Sequence, residues 1–236
     1  MTILIKPEQM AESAKIGMDI RHKIHEEPEL GLCLHKTQEK ITKALASFSL
    51  NEVYEYVGGK DVTGVVAVIH GTKPGKTIGL RADSDALPLE EKTGAPWASQ
   101  VKGKMHACGH DGHVATLLTL CHYAAQHRDF AGTLIAIFQP GEEGFAGAKH
   151  MIADGLVERF GIDEFYALHA EPSLNLGDVG FIPGYATANA DKFEITFKGK
   201  GGHGSRPHMT KDPLVAACEC VLALQTIVAR SVDPMK

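Results

Sequence analysis

Apolar residues recur at helical spacing in two stretches at the start of the chain. Residues 8–27 are rich in helix formers and are followed by Pro28, which cannot continue a helix. Residues 35–48 carry Ile41 and Leu45 at helical spacing. These stretches predict two helices.

The pattern then changes to short runs that favour strands. Residues 64–71 and 77–85 are joined by the sequence TKPGK, a Pro-Gly turn, and together they predict a buried hairpin. Residues 132–140 are almost continuously apolar, which is typical of a central strand covered on both faces. Two more short strands are predicted at residues 164–170 and 177–182.

Helical spacing returns between the predicted strands. Residues 111–127 have one apolar face and begin at Asp111, a residue type that caps helices. Residues 146–155 predict a shorter helix that closes at Gly155. Strands that alternate with helices predict an α/β fold, a layered domain whose mostly parallel central sheet is flanked by helices.

A different pattern begins near residue 188. Residues 191–204 alternate apolar and polar side chains, which predicts a strand with one buried face and one wet face. Residues 212–230 then predict an amphipathic helix. The pattern therefore divides the chain into residues 1–187 and the start of a second, α+β domain at 188–236.

Composition narrows the class of protein. The chain has 236 residues with 24 Lys and Arg against 29 Asp and Glu, and this net charge of −5 argues against a nucleic-acid-binding protein. The N-terminus lacks the apolar stretch of a signal peptide, and no stretch approaches the ~18 consecutive apolar residues of a membrane span. Five cysteines without framework spacing predict free thiols in a reducing cytoplasm.

Potential metal ligands lie next to the predicted strands. In open α/β sheets, ligands bind beyond the carboxyl ends of the strands. The side chains of suitable type at predicted strand ends are Asp83, Asp85, Glu142, Glu143 and His169, and Cys108 and His110 precede the helix predicted from residue 111. Each is a weak signal alone, and their shared placement predicts one site at an edge of the sheet.

The sequence MHACGHDGHV is the most concentrated part of this set. Cys108 and His110 can face one centre from a looped segment, and a thiolate with an imidazole suits Zn²⁺ or a similar first-row ion. The alternative for Cys108 is a small buried apolar residue, but its polar surroundings favour ligation. We expect packing or supporting roles for His106 and His113, and Asp111 either orients a ligand or caps the helix.

Three further residues are candidates for chemistry. Of the adjacent Glu142 and Glu143, one can bind a metal while the other deprotonates a water, although most such pairs are solvated acidic turns. His169 is either a ligand or a core histidine with a backbone hydrogen bond. His203 lies between glycines in GKGGHGSRPH, which suits an exposed group that stabilises an oxyanion. The alternative is a glycine-rich turn after a strand, which would explain the glycines but not the histidine.

Six ordered motifs carry a resemblance to a known family. They are RHKIHEEPELG, GLRADSDALPLEE, MHACGHDGHVATLL, FQPGEEGFAGAKHMI, ALHAEP, and GKGGHGSRPH followed by DPL. Together they resemble the dimetal amidohydrolases of the aminoacylase and glutamate-carboxypeptidase superfamily, in the branch of hippurate hydrolases and indole-acetyl-amino-acid hydrolases. The resemblance covers nearly the whole chain and implies hydrolysis of the amide bond of an N-acyl amino acid.

The resemblance also implies roles for individual residues. The implied ligands of two divalent ions (Zn, Mn, Co or Ni) are Cys108 as the bridge, with His110, Glu143 and His169. Glu142 would be the general base that activates the water. His203 would lie in a lid domain that forms a homodimer, and would stabilise the oxyanion in the partner subunit's active site. Asp83 and Asp85 occupy a segment that supplies a ligand in other branches, and they are not counted as ligands here.

Members of this family continue past the lid and return to the catalytic domain, where a later histidine completes the metal site. The resemblance therefore implies that residues 1–187 are the first part of a catalytic domain and that the lid is incomplete at Lys236. The expected partners are a small-molecule substrate and a second copy of the chain, with no nucleic acid and no membrane. The alternatives are a dipeptidase or deacylase of the same superfamily, a non-catalytic truncated form that binds metal and, less favoured, a redox-thiol enzyme, since no resolving cysteine lies near Cys108.

Overall fold

Two compact units make up the chain. The structure, a computed structural model, describes residues 7–184 and 192–232. The units are Met1–Leu176 and Gly177–Lys236. The first unit has the predicted α/β fold, and the assignment of the units to a catalytic domain and a lid domain stays a prediction.

Helices flank a central sheet in the first unit. Those in its described part are α1 (Ala11–Glu26), α2 (His35–Ser47), α3 (His110–Gln126), α4 (Gly147–Ala153) and α5 (Leu156–Phe160), with a 3₁₀ turn before α1. Four of these five were predicted from the sequence. The expectation that Asp111 caps α3 is wrong, because Gly109 occupies the cap position with φ 84 and no side chain caps it. The Asp111 carboxylate lies in the first turn and contacts Arg21 and His25 instead.

The sheet of the first unit has five strands. They are β1 (Glu52–Glu55), β2 (Val65–His70), β3 (Lys73–Asp83), β4 (Ala131–Gln139) and β5 (Glu164–Ala167). Their order is β1-β2-β4-β3-β5. The sheet is mixed: β2 pairs antiparallel with β1 and β4, whereas β3 pairs parallel with β4 and β5.

The predicted hairpin between residues 64–71 and 77–85 is wrong. β4 lies between β2 and β3, and the Pro-Gly sequence lies inside β3, where the register shifts between Lys73 and Thr77. The turn signal was local, whereas strand order depends on which strand fills the centre of the sheet. β4 is buried along most of its length, so its central place satisfies its backbone on both edges.

The sheet is covered on both faces, which explains the continuous apolar runs. In β2, Val65, Ala67 and Ile69 face a core formed with α1, α2 and α3. Val66 and Val68 face a second core formed with α4 and α5. Successive side chains of a strand point to opposite faces. A strand buried on both faces therefore shows no alternation in its sequence.

The described part of the second unit contains one long helix. α6 (Pro213–Thr226) begins after Asp212, whose carboxylate accepts a hydrogen bond from the Leu214 amide, and continues as a π-helical turn at Ile227–Ser231. Within Pro213–Ser231 a stretch of 18 residues has a mean hydropathy of 1.5, and among the described residues this is the helix long and apolar enough to cross a membrane. That criterion rests on length and composition alone, and core helices of globular proteins also meet it.

Two predicted strands are not formed among the described residues of this unit. Residues 177–182 and 192–199 pair with no strand, and the bridge that is present joins Lys200 to Lys211. Residue 191, where the second prediction begins, lies outside the described residues. A strand needs a neighbour that accepts its hydrogen bonds, and alternation in the sequence reports burial without supplying that neighbour.

Candidate active site

Two parallel strands end side by side at the polar edge of the sheet. β3 ends at Asp83, which pairs with Gln139, the last residue of β4. The chain segments with Asp85 and with Glu142–Glu143 therefore leave the sheet from adjacent strands, as expected for a ligand site at carboxyl ends. α3 begins at His110, which packs against the segment after β3.

His110 is at the centre of this arrangement. Its side chain is 1% exposed, and its Nδ1 lies 2.9 Å from the carbonyl oxygen of Asp85. A carbonyl can only accept, so Nδ1 donates, and in the neutral imidazole Nε2 then presents a lone pair. Nε2 is buried without a hydrogen-bond partner, which is costly for a polar atom. A histidine with one nitrogen held by the backbone and the other free is the usual arrangement of a metal ligand.

The other predicted ligands surround this imidazole. Cys108 Sγ lies 3.4 Å from His169 Nε2, and both residues offer ligand atoms within 4.8 Å of His110 and of each other. Glu142 and Glu143 form a second group with His110, in which Glu143 Oε1 is 3.9 Å from His110 Nε2. Thiol, imidazole and carboxylate donors suit Zn²⁺ and neighbouring divalent ions. The residues present therefore fit a divalent metal.

Asp85 holds the Glu142–Glu143 turn in place. Its two carboxylate oxygens accept hydrogen bonds from the backbone amides of Glu142 and Glu143, each at 2.9 Å. Both oxygens are thus used by the protein, and the carboxylate is 0% exposed. Asp85 therefore acts as a support for the acidic pair.

Asp83 is held by His113 and Arg81. Its Oδ1 lies 2.6 Å from His113 Nδ1. Its Oδ2 is in an ion pair at 2.7 Å from an Arg81 guanidinium nitrogen and lies 3.6 Å from His110 Nε2, but has no hydrogen-bond partner among the described residues. Asp83, His110 and His113 are close enough to form a third group of potential ligands. However, Arg81 already supplies positive charge there, and His113 Nε2 accepts the Ala170 amide at 2.8 Å. This group therefore suits a metal less well than the one around Cys108.

Acidic groups dominate the electrostatics of the site. Burial, and then the charge of Glu143, raises the pKa of the Cys108 thiol to about 11. Burial lowers the pKa of His110, but the hydrogen bond with Asp85 and the charges of Asp83 and Asp85 outweigh it and raise the pKa overall. Uncompensated negative charge favours bound protons, and a cation would relieve the same excess.

A hydrogen-bonded network behind Asp111 was not found from the sequence. His25 Nδ1 lies 2.9 Å and Arg21 Nε 3.0 Å from Asp111 Oδ2, and His25 Nε2 is 3.2 Å from Glu91. Burial raises the pKa of Asp111, but the bond with His25 and the nearby positive charge lower it to about 2. His106 is buried beside His25, and burial lowers its pKa to about 4. The signal was the motif RHKIHEEPELG, which names Arg21 and His25 but not their partners.

His203 lies in the second unit. Its side chain is exposed, and its Nδ1 is 2.8 Å from the hydroxyl of Ser205. Its Nε2 has no hydrogen-bond partner among the described residues, and an exposed imidazole of this kind is able to donate to a substrate oxygen. Its catalytic role stays a prediction.

Comparison with known proteins assigns the chain to a family. The sequence profile of Peptidase family M20/M25/M40 matches residues 79–235, more than half of the chain. The chain belongs to this family. The candidate site residues Cys108, His110, Glu142, Glu143 and His169 all lie inside the matched range.

Three curated relatives are similar over most of the chain. A hippurate hydrolase of Campylobacter jejuni is 46% identical, over 91% of this chain and 55% of the relative. An N-acetyldiaminopimelate deacetylase of Priestia megaterium is 43% identical, over 92% and 56%. Thermostable carboxypeptidase 1 of Saccharolobus solfataricus is 43% identical, over 93% and 55%. The chain thus spans about half the length of these relatives, whose names differ in substrate at similar identity.

Two solved structures share the fold. A Staphylococcus aureus protein with the provisional name aminohydrolase is 37% identical with a TM-score of 0.78, over 96% of this chain and 60% of that chain. A dinuclear metal binding peptidase of the M20 family from Bacillus subtilis is also 37% identical, with a TM-score of 0.66 over 71% of this chain and 45% of its own. The described first unit therefore has an M20 fold.

Proposed function

We propose that the protein is a metal-dependent amidohydrolase that cleaves the amide bond of a hippurate-like N-acyl amino acid. The observation that carries this proposal is the buried Nε2 of His110, which has no hydrogen-bond partner among the described residues and lies beside Cys108, Glu143 and His169. A set of soft and hard donors around one free lone pair has the composition of a catalytic metal site.

Cys108, His110, Glu143 and His169 are the proposed ligands of two divalent ions. Zn²⁺, Mn²⁺, Co²⁺ and Ni²⁺ all accept these donors. When bound, such ions polarise the acyl carbonyl and lower the pKa of water. The thiol of Cys108 would lose its proton on binding, since the thiolate is the ligand form.

Glu142 is the proposed general base. It is exposed, and its backbone amide is held by Asp85, so its carboxylate stays beside His110 while remaining accessible to substrate. In this role Glu142 takes a proton from the attacking water and passes it to the leaving nitrogen. The separation of roles follows from the two environments, because Glu143 is the more buried of the pair.

His203 is proposed to stabilise the oxyanion from a second copy of the chain. Its exposed imidazole in a glycine-rich segment supports this role. The proposed assembly is a homodimer through the second unit, and the proposed partner is a small-molecule substrate. All five cysteines are free thiols, which supports the reducing cytoplasm as the proposed compartment.

Substitution of the proposed base tests the reaction. Glu142→Gln should keep metal binding. Its turnover of N-acyl amino acids should fall by about 10²–10⁴-fold, which is the usual contribution of a general base. Glu158→Gln, at an exposed position in α5, is the matched control and should keep both properties. Full activity of Glu142→Gln would exclude the proposed role.

Substitution of the proposed bridge tests the metal site. Cys108→Ser should lower the metal content measured by elemental analysis, because a hydroxyl binds these ions more weakly than a thiolate. Cys33→Ser, at an exposed thiol of the first unit, should leave metal content unchanged. Equal metal content in the two variants contradicts the bridge.

Two other functions predict different results. A dipeptidase or deacylase of the same family, favoured by the relatives named carboxypeptidase and deacetylase, would turn over dipeptides or N-acetyl diamino acids faster than hippurate. A non-catalytic metal-binding form would bind metal and hydrolyse none of these. Assays with Mn²⁺ or Zn²⁺ on the three substrate classes separate the possibilities.

A further inference from the structure

His113 contacts both the end of β3 and the segment that carries His169. Its Nδ1 lies 2.6 Å from Asp83 Oδ1, and its Nε2 lies 2.8 Å from the backbone nitrogen of Ala170. Its ring is 4.7 Å from the His169 ring, centroid to centroid, at an interplanar angle of 61°. The side chain is 7% exposed. Both ring nitrogens are therefore occupied by protein partners.

These partners determine the tautomer of His113. The Ala170 amide can only donate, so Nε2 must accept. The Asp83 carboxylate accepts, and Arg81 beside it keeps it ionised, so Nδ1 must donate. His113 is thus the neutral Nδ1–H form, with no lone pair left for a metal.

The backbone of Ala170 links His113 to His169 through its two neighbouring peptide groups. Its N–H donates to His113 Nε2, and its carbonyl oxygen lies 2.8 Å from His169 Nδ1, which therefore donates. His169 Nε2 then presents its lone pair on the side of Cys108 Sγ, 3.4 Å away. A continuous series of hydrogen bonds therefore runs from Asp83 through His113 and Ala170 to His169.

The His169 segment has few other attachments to the sheet. The last residue of β5 that pairs with β3 is Ala167, so His169 follows the end of the ladder and its side chain is exposed. His113 lies one turn after His110 in α3, and their ring centroids are 5.5 Å apart. Helix α3 thus carries the proposed ligand His110 and also His113, the group that holds the segment with the proposed ligand His169.

We propose that His113 is a positioning residue that fixes the orientation of His169 through the backbone of Ala170, with Asp83 setting the tautomer of His113. This inference rests on the proposed function, since it takes His169 as a metal ligand. Groups that orient ligands in this way contribute about 10–100-fold to metal affinity in other proteins.

Two amide variants separate this role from simple packing. A glutamine side chain at this position carries its oxygen to the place of the imidazole Nε2, whereas an asparagine side chain reaches only the place of Nδ1. His113→Asn should therefore lose the Ala170 bond and weaken Co²⁺ affinity by about 10–100-fold, with a change in the visible Co²⁺ spectrum. His113→Gln should restore most of the Ala170 hydrogen bond and most of the Co²⁺ affinity. His122→Asn is the control, because His122 is buried in the same helix but bonds to Ser13 instead.

A second measurement does not require metal. In the metal-free protein, hydrogen exchange at the Ala170 amide should be slow, should become fast in His113→Asn and should stay slow in His113→Gln. Nitrogen chemical shifts of wild-type His113 should report the Nδ1–H tautomer, which remains measurable if a variant does not fold.

The outcomes distinguish this inference from the proposed function. Unchanged Co²⁺ affinity in a folded His113→Asn, or losses equal to those of His122→Asn, would overturn the positioning role. An Nε2–H tautomer, or fast exchange at Ala170 in the wild type, would overturn it as well. If the wild-type protein binds no divalent ion, the proposed function fails and the ligand role with it, while the exchange measurement still decides whether His113 anchors Ala170.

Discussion

Removal of the Asp85 carboxylate should disconnect the acidic turn from the end of β3. Asp85 is the acceptor for the amides of Glu142 and Glu143, at 2.9 Å each. Its backbone carbonyl also accepts from His110 Nδ1, and that contact is kept in any side-chain variant. Asp85→Ala therefore perturbs the placement of the proposed base and of one proposed ligand. It keeps the backbone hydrogen bond with His110 but also removes the carboxylate oxygen 3.5 Å from His110 Nδ1.

The expected loss of stability follows from these two bonds. A hydrogen bond to a charged group contributes about 1.5–3 kcal/mol, so the pair amounts to about 3–6 kcal/mol. Both amides are partly buried, so water replaces some of this, and removal of a buried carboxylate also removes its desolvation cost. We expect Asp85→Ala to lower the free energy of unfolding by about 2–4 kcal/mol. Asp85→Asn keeps one acceptor oxygen, so its free energy of unfolding should lie between those of the wild type and Asp85→Ala.

Urea unfolding and metal titration together measure the effect. Asp154→Ala is the matched control, because the Asp154 carboxylate accepts the exposed Gly58 amide at 3.0 Å, outside the ligand group. The control should lose no more than about 1 kcal/mol and keep its metal affinity, whereas Asp85→Ala should lose about 10–100-fold in affinity. Equal destabilisation of the two variants, or unchanged metal affinity in Asp85→Ala, would refute the reasoning.

Three further outcomes follow from other parts of the molecule. The hydrogen bond to Asp111 raises the pKa of His25 above its ordinary 6.5 despite burial. The contribution of His25 to stability is therefore fully present below pH 6.5 and is lost as pH rises through the folded-state pKa. His25→Gln should flatten this part of the pH profile of urea unfolding, and an unchanged profile contradicts the assignment. Gly132→Ala should lose at least about 1–3 kcal/mol on thermal or urea unfolding, because φ is +88° and a Cβ there would lie 2.0 Å from the Lys76 carbonyl oxygen; Gly161→Ala, with φ +57° and nothing within 4 Å, should lose clearly less, and similar losses would exclude the clash. His203→Ala should keep metal content and lose turnover, since His203 is not in the ligand groups; a parallel loss of metal would contradict an oxyanion role.

Local patterns in the sequence determined most of the helices and the buried strands. The apolar run of β4 predicted a central strand because a strand between two cores has apolar side chains on both faces. Phe193 and Ile195 show the limit of such patterns: their alternation predicted a strand that does not form among the described residues. Periodicity reports which side chains avoid water, whereas a strand also requires a partner.

The candidate site divides in the same way. Residue type and position beside strand and helix ends were enough to select Cys108, His110 and the Glu142–Glu143 pair as potential ligands, because few side chains offer such lone pairs. Only the tertiary structure decided that Asp85 holds the acidic turn and that His113 holds the Ala170 peptide. These roles depend on hydrogen bonds between residues 57 positions apart in the chain. Local sequence carries no information on such distances, so the supports of the site were decided by the fold.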